Sequence, residues 1–300
     1  MSVTLPESLS RWHTVDSDLG TLAYFEWDAH LRETAPTIVF IHGITGSIAF
    51  WSTPLLPPLL QFHRIALSLP GHFPAVFPPE IRDTDLTAKR LTDTLIAALR
   101  TILGDKKPFL FGHSTGGWAA MAIAARAPEQ VAGVVSVSGF THGRWTGILG
   151  TGQLLARYAP PLYRWAYRRI ARSLDAFDKG MANYVADPAA MRAHPDYAAL
   201  GDQYAFFANA DFGAFARWFR VMPETDTARW LRNTTAPVLL LHGDKDPIVP
   251  IGESRLASRL IPNARLVEIA GAGHMPMLER RAEYDRVVSA WATARLAAAP

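Results

Sequence analysis

The 300-residue chain is 49% hydrophobic and 19% charged, the composition of a protein with a large buried core and not of a disordered chain. It has no cysteine, which excludes a disulfide framework and any cysteine-held metal. A net charge of +3 gives little ground for a nucleic-acid partner, and no run of about 18 apolar residues is present to span a membrane.

At the N-terminus, MSVTLPESLSRWH lacks the basic and apolar regions of a signal peptide, so a cytoplasmic location is expected. Trp12 to Val15 and Thr21 to Trp27 are β-prone runs around the turn cluster Asp16 to Gly20, and predict an antiparallel hairpin. Thr37 to Ile41 (TIVFI) reads as a strand buried on both faces, followed by His42-Gly43-Ile44-Thr45-Gly46. Ile65 to Leu69 is a further short strand, and Thr84 to Leu103 carries helical periodicity stopped by Gly104. Phe109 to Phe111 predicts a strand leading through Gly112-His113-Ser114-Thr115-Gly116 into an Ala-rich helix, and Val131 to Val137 another buried strand. Strands alternating with helices argue for an α/β fold, a mostly parallel sheet with helices on both faces.

From about Thr141 to Trp230 the strand signals stop. Half of the chain's 32 aromatic residues fall in this segment, among helical patterns rich in arginine. The alternation resumes with a strand at Val238 to Leu241, a helix at Glu253 to Leu260, a strand at Arg265 to Ile269 and a long helix at Pro276 to Ala299. The expected organisation is an α/β core, residues 1–140 and 231–300, with a helical cap, residues 141–230, inserted after the Val131 strand.

Residues 112–116 form G-x-S-x-G between a strand and a helix, the context in which a sharp turn lifts a serine hydroxyl clear of a sheet. An alcohol is a poor nucleophile at neutral pH, so Ser114 needs a base, and the base needs an orienting group. Gly243-Asp244-Lys245-Asp246-Pro247 follows the Val238 strand, and Gly271-Ala272-Gly273-His274 follows the Arg265 strand. Both lie beyond strand C-termini, the edge of an open α/β sheet where ligand sites form.

With HG at 42–43, GHSTGG at 112–117, GDKDPIVP at 243–250 and GAGH at 271–274, the sequence resembles the α/β-hydrolase fold superfamily. The resemblance implies Ser114 as nucleophile, His274 as general base and then acid, and Asp246 as the carboxylate that orients it, with Asp244 the rival acid. It also implies an oxyanion hole from the backbone N–H groups of Ile44 and Thr115, and no cofactor or metal. Ser68 and Phe73 depart from the family's D-x-P-G-H-G stretch. The expected activity is hydrolysis of a carboxylic ester with a hydrophobic moiety through an acyl-enzyme. Thioester, lactone and carbon–carbon bond hydrolysis are alternatives, and a non-catalytic ligand receptor is a more distant one.

Within the cap segment, Arg144 to Arg172 contains six arginines and no acidic residue. One helix is expected to place Tyr163, Tyr167, Ile170 and Leu174 on an apolar face, with Arg164, Arg168 and Arg172 beside it. That pattern fits either a solvated face or a helix docking an acidic partner or an anionic membrane surface. Among Phe206, Phe207, Phe212, Phe215, Trp218 and Phe219, some are expected to line an acyl or aromatic pocket and others to fasten the cap to the core.

Overall fold

A computed structural model describes residues 3–52 and 57–297. Eight strands form one sheet: β1 (His13–Ser17), β2 (Gly20–Trp27), β3 (Thr37–Ile41), β4 (His63–Leu67), β5 (Phe109–His113), β6 (Gly133–Val137), β7 (Val238–Gly243) and β8 (Ala264–Ile269). Their order is β1-β2-β4-β3-β5-β6-β7-β8. The first two pairings, β1 with β2 and β2 with β4, are antiparallel, and every other pairing is parallel. The apolar runs at β3, β5, β6 and β7 are buried at every residue, as expected where helices cover both faces. Edge strand β8 is only half-buried.

On one face, α1 (Ala88–Leu103) and α2 (Thr115–Arg126) contribute Leu91, Leu95, Trp118 and Ile123 to the larger core. On the other, α12 (Arg281–Ala297) sets Tyr284, Val287 and Val288 against Phe40, Phe111 and Val135. Parallel pairing from β3 through β8 aligns the strand C-termini, so the loops that follow them meet along one edge. The segment between β6 and β7 is helical: α3 (Gly147–Tyr158), α4 (Pro160–Ile170), α5 (Leu174–Met181), α6 (Pro188–Ala193), α7 (Leu200–Ala208), α8 (Phe212–Val221) and α9 (Ala228–Leu231). Between β7 and β8 runs α10 (Gly252–Leu260).

Three helices differ from expectation. The one expected from Thr84 begins at Ala88, because the Thr87 side chain accepts from the Arg90 N–H and caps it there. The helix expected to run from Tyr163 to Leu174 ends at Ile170, because the Ser173 side chain accepts from the Ala176 N–H and starts α5 at Leu174. Arg172 therefore lies in the connecting turn. The long C-terminal helix is two pieces: α11 (Pro276–Glu279) and α12 are separated by Arg280, whose φ of −134° and ψ of 56° leave the helical region. Its guanidinium donates to the Glu279 carbonyl and reaches Asp187. Ala299 lies outside the described residues.

The aromatic run of α7 and α8 fastens the helical segment to the sheet. Trp218 is fully buried, donates its indole N–H to the Pro70 carbonyl at 2.8 Å and packs edge-on against His72. Truncation of Trp218 to alanine removes a large buried side chain and leaves that carbonyl only its 3.2 Å contact with His72 Nδ1, so Trp218→Ala should cost about 3–5 kcal/mol in urea unfolding. A cost below about 1 kcal/mol would show that the helical segment does not depend on this anchor.

Candidate active site

The turn at Ser114 is built by close backbone approach. Ser114 has φ 55° and ψ −117°, a strained conformation for a non-glycine residue, between the last residue of β5 and the first of α2. A Cβ on Gly112 would stand 2.1 Å from the Gly116 carbonyl oxygen, and one on Gly116 would stand 2.0 Å from that of Ile41. Only glycine fits at either place. The Ser114 N–H donates to the Val137 carbonyl of neighbouring β6 at 2.8 Å, fixing the turn to the sheet.

Strand neighbours supply the rest. β3 lies beside β5, which brings its following loop against the serine: a Cβ on Gly43 would meet the Ser114 Cβ at 3.0 Å. Among the described residues, no backbone carbonyl accepts from the N–H of Ile44 or of Thr115. The side chain of Asp246, three residues beyond β7, is fully buried. Its Oδ1 accepts from the N–H groups of Ile248 and Val249 at 2.8 and 2.9 Å, and its Oδ2 accepts from His274 Nδ1 at 2.7 Å. His242 Nε2 lies 3.2 Å from the same Oδ2 and 3.0 Å from the Val249 carbonyl, so it donates, and its Nδ1 accepts from the Ser254 hydroxyl. Burial would raise the Asp246 pKa. The positive charge that His274 can carry, with hydrogen bonds from His242 and His274, outweighs it and holds the carboxylate well below its usual range. Asp244, the rival acid, instead accepts from the Gly271 N–H at 2.7 Å.

Ser114 and His274 line one cavity. The structure brings His274 and Asp246 into contact, while the buried Ser114 hydroxyl makes no hydrogen bond among the described residues. The space, about 1250 Å³ counting its open mouth, is walled largely by Phe50, Trp51, Phe177, Met181, Met191 and Met277. Asp196, Gln203, Arg281 and Asp285 give it a polar side. None of the six aromatics of α7 and α8 lines it. Those six serve as packing, and the apolar wall comes from α5, α6, α11 and the loop after β3.

Three residues without an expected catalytic role set the loop positions. His42 Nδ1 donates to the Gly43 carbonyl at 2.8 Å, and its Nε2 accepts from the Leu69 N–H. His113 donates from Nε2 to the His274 carbonyl at 2.9 Å and stacks on Phe50. Glu279 escaped the sequence reading. Its buried carboxylate accepts from the N–H groups of Ala186, Asp187, Gly273 and Met275 and so ties the His274 loop to the segment before α6. Burial raises its pKa, and the four N–H donors offset only part of that. A lone acid five residues after His274 in the apolar stretch Met-Pro-Met-Leu was the available signal.

A family model described as the alpha/beta hydrolase fold matches residues 36–281. The chain belongs to the α/β-hydrolase fold family. This α/β hydrolase is 27% identical over 259 residues to a pimeloyl-[acyl-carrier protein] methyl ester esterase of Aromatoleum aromaticum, covering 81% of this chain and 92% of that one. It is 26% identical over 245 residues to a 2-(acetamidomethylene)succinate hydrolase of Mesorhizobium japonicum, covering 81% and 83%. An esterase structure from a Rhodococcus species superposes with a TM-score of 0.70 over 94% of this chain and 98% of its own; at 22% identity that likeness concerns the fold. With a hydrolase family and esterase relatives, the chain is a hydrolytic enzyme.

Burial drives His42 down to about 4 and His113 down to about 3. Both folded values lie below the unfolded one near 6.5, so the native state binds fewer protons and stability rises with pH. Urea unfolding should show full stability above about pH 7 and a loss of roughly 3 kcal/mol or more by pH 4. A stability independent of pH across that window would contradict the neutral, buried histidines. Glu279→Gln places an amide NH2 against backbone donors and should cost about 1–3 kcal/mol in the same assay.

Proposed function

We propose that this α/β hydrolase is a serine esterase acting through an acyl-enzyme, with Ser114 as nucleophile, His274 as base and acid, and Asp246 as the orienting carboxylate. The observation that carries the reading is the buried 2.7 Å contact from His274 Nδ1 to Asp246, on a histidine that shares its cavity with the strained Ser114. Asp246 accepts the Nδ1–H and so leaves Nε2 as the basic nitrogen. Ser114 Oγ attacks the ester carbonyl carbon as its proton passes to His274 Nε2. The carbonyl oxygen becomes an oxyanion, for which the N–H groups of Ile44 and Thr115 are the donors; each such donor is worth roughly 3 kcal/mol. The carbon–oxygen bond of the leaving alcohol then breaks, and His274 returns the proton to it. Water repeats the sequence on the acyl-enzyme, releasing the carboxylic acid and restoring Ser114.

Substrate preference follows from the wall. Methionine and aromatic side chains exclude water and adapt to apolar shapes, which supports an ester with a hydrophobic acyl or alcohol part. The Aromatoleum relative is named for a methyl ester, and a carboxylic ester is the class supported here as well. We assign the segment 141–230 as a cap over a core of 1–140 and 231–300, since Leu149 of α3, Phe177 and Met181 of α5 and Met191 of α6 all reach the cavity.

Ser114→Ala and His274→Gln should each lower kcat on a p-nitrophenyl ester by about 10⁴-fold or more, with little change in KM. Across straight-chain esters, kcat/KM should rise as the acyl chain lengthens from acetyl. Retained turnover in Ser114→Ala, or a preference for acetyl, would count against the mechanism and the apolar wall respectively.

A further inference from the structure

The outer surface of α3 and α4 combines two features that are costly to leave in water. Among the described residues, eight large hydrophobic side chains are exposed, and six of them lie between residues 148 and 174: Ile148, Leu154, Tyr158, Leu162, Trp165 and Leu174. Leu154 is 62% exposed, Tyr158 74% and Trp165 53%. Thr151, Leu154 and Tyr158 recur at three- and four-residue spacing along α3, as do Leu162, Trp165 and Arg169 along α4, so each set forms one stripe. The inward side of the same helices is packed by Leu149, Tyr163 and Tyr167, so these side chains are surplus to the core.

Charge completes the pattern. Arg164, Arg168, Arg169 and Arg172 are exposed, and none has a carboxylate within 4.0 Å among the described residues. Among the described residues, Arg157 has only the exposed Glu224, at 3.6 Å. The Arg169 guanidinium lies 5.2 Å from the centre of the Trp165 ring and that of Arg157 lies 5.7 Å from the Tyr158 ring, so cation and aromatic face outward together.

We propose that this face of α3 and α4 docks on an anionic lipid bilayer. Leucine, tryptophan and tyrosine interleaved with unpaired arginines on exposed helices suit the boundary between headgroups and acyl chains. Lipid phosphates and carboxylates accept from the guanidiniums, while Leu154, Leu162 and Trp165 enter the acyl layer. An acidic protein would satisfy the arginines, but the protruding side chains would need matching recesses on it. One helix separates the surface from the Ser114 cavity, since Leu149 of α3 lines the cavity while its neighbour Ile148 is exposed. Docking rests on this surface alone and does not require the proposed chemistry of Ser114.

The test is flotation of the full chain with vesicles of phosphatidylcholine, with and without about one-third phosphatidylserine. Binding to the anionic vesicles should be about tenfold or more stronger, weaken with salt, and shift tryptophan emission to shorter wavelength. Replacing Arg164, Arg168, Arg169 and Arg172 together by Gln should abolish the anionic preference. Changing Leu154, Leu162 and Trp165 together to Ser should weaken binding to the anionic vesicles about tenfold. An unchanged thermal midpoint identifies both variants as folded, independently of any hydrolysis. Failure of the wild type to float with anionic vesicles would overturn the proposal, as would equal binding by wild type and both folded variants. Capture of a purified acidic helical protein through the same arginines, without vesicle binding, would assign the surface to a protein partner and likewise overturn it.

Discussion

At the start of α2 the chain runs so close to β5 and β3 that two positions admit no side-chain carbon. The clearances of about 2 Å for a Cβ on Gly112 and Gly116 are the tightest constraint near the site, and the rest of the arrangement follows from them. Because the helix is seated directly on the strand, Ser114 is forced to φ 55° and the loop after β3 abuts it. Such a backbone costs about 1–3 kcal/mol and persists only where its surroundings overdetermine it. Here they do: Ser114 is hydrogen-bonded to β6 through its own N–H, and Trp118, one turn along α2, is fully buried against Phe140.

Around that turn lies a layer of buried polar groups that hold loops instead of reacting. His42 fixes the Gly43 carbonyl, His113 the His274 carbonyl, and His242 the Asp246 carboxylate. His42 and His113 are kept neutral by burial, so they orient the loops without adding charge beside the cavity. Glu279 supplies the opposite solution, one carboxylate gathering four backbone N–H groups that would otherwise be unsatisfied at the junction of two loops. Preorganisation of this kind keeps donors and acceptors in place before a substrate arrives, and electrostatic stabilisation of a transition state depends on that.

The sheet was legible because its central strands are buried on both faces and therefore appear as unbroken apolar runs such as TIVFI. The fold family was legible because short local patterns, GHSTGG above all, are required by the backbone itself. Side chains that meet only through the tertiary fold were not legible. Met191, Met277 and Phe177 come from three separate segments, and no periodicity links them to one cavity. The concentrated aromatics of 206–219 were more conspicuous in sequence, yet they pack the helices onto the sheet. The ends of helices failed for a local reason: the Ser173 cap and the turn at Arg280 interrupt periodic patterns that continue past them.

The central claim is that Ser114, at this strained turn, is a nucleophile. Its most direct measurement is mass spectrometry of the protein after incubation with a fluorophosphonate, followed by peptide mapping. A single adduct on the peptide containing Ser114, lost in His274→Gln although the serine remains, is the predicted result. An unlabelled protein with Ser114 intact, or an adduct on another residue, would contradict it.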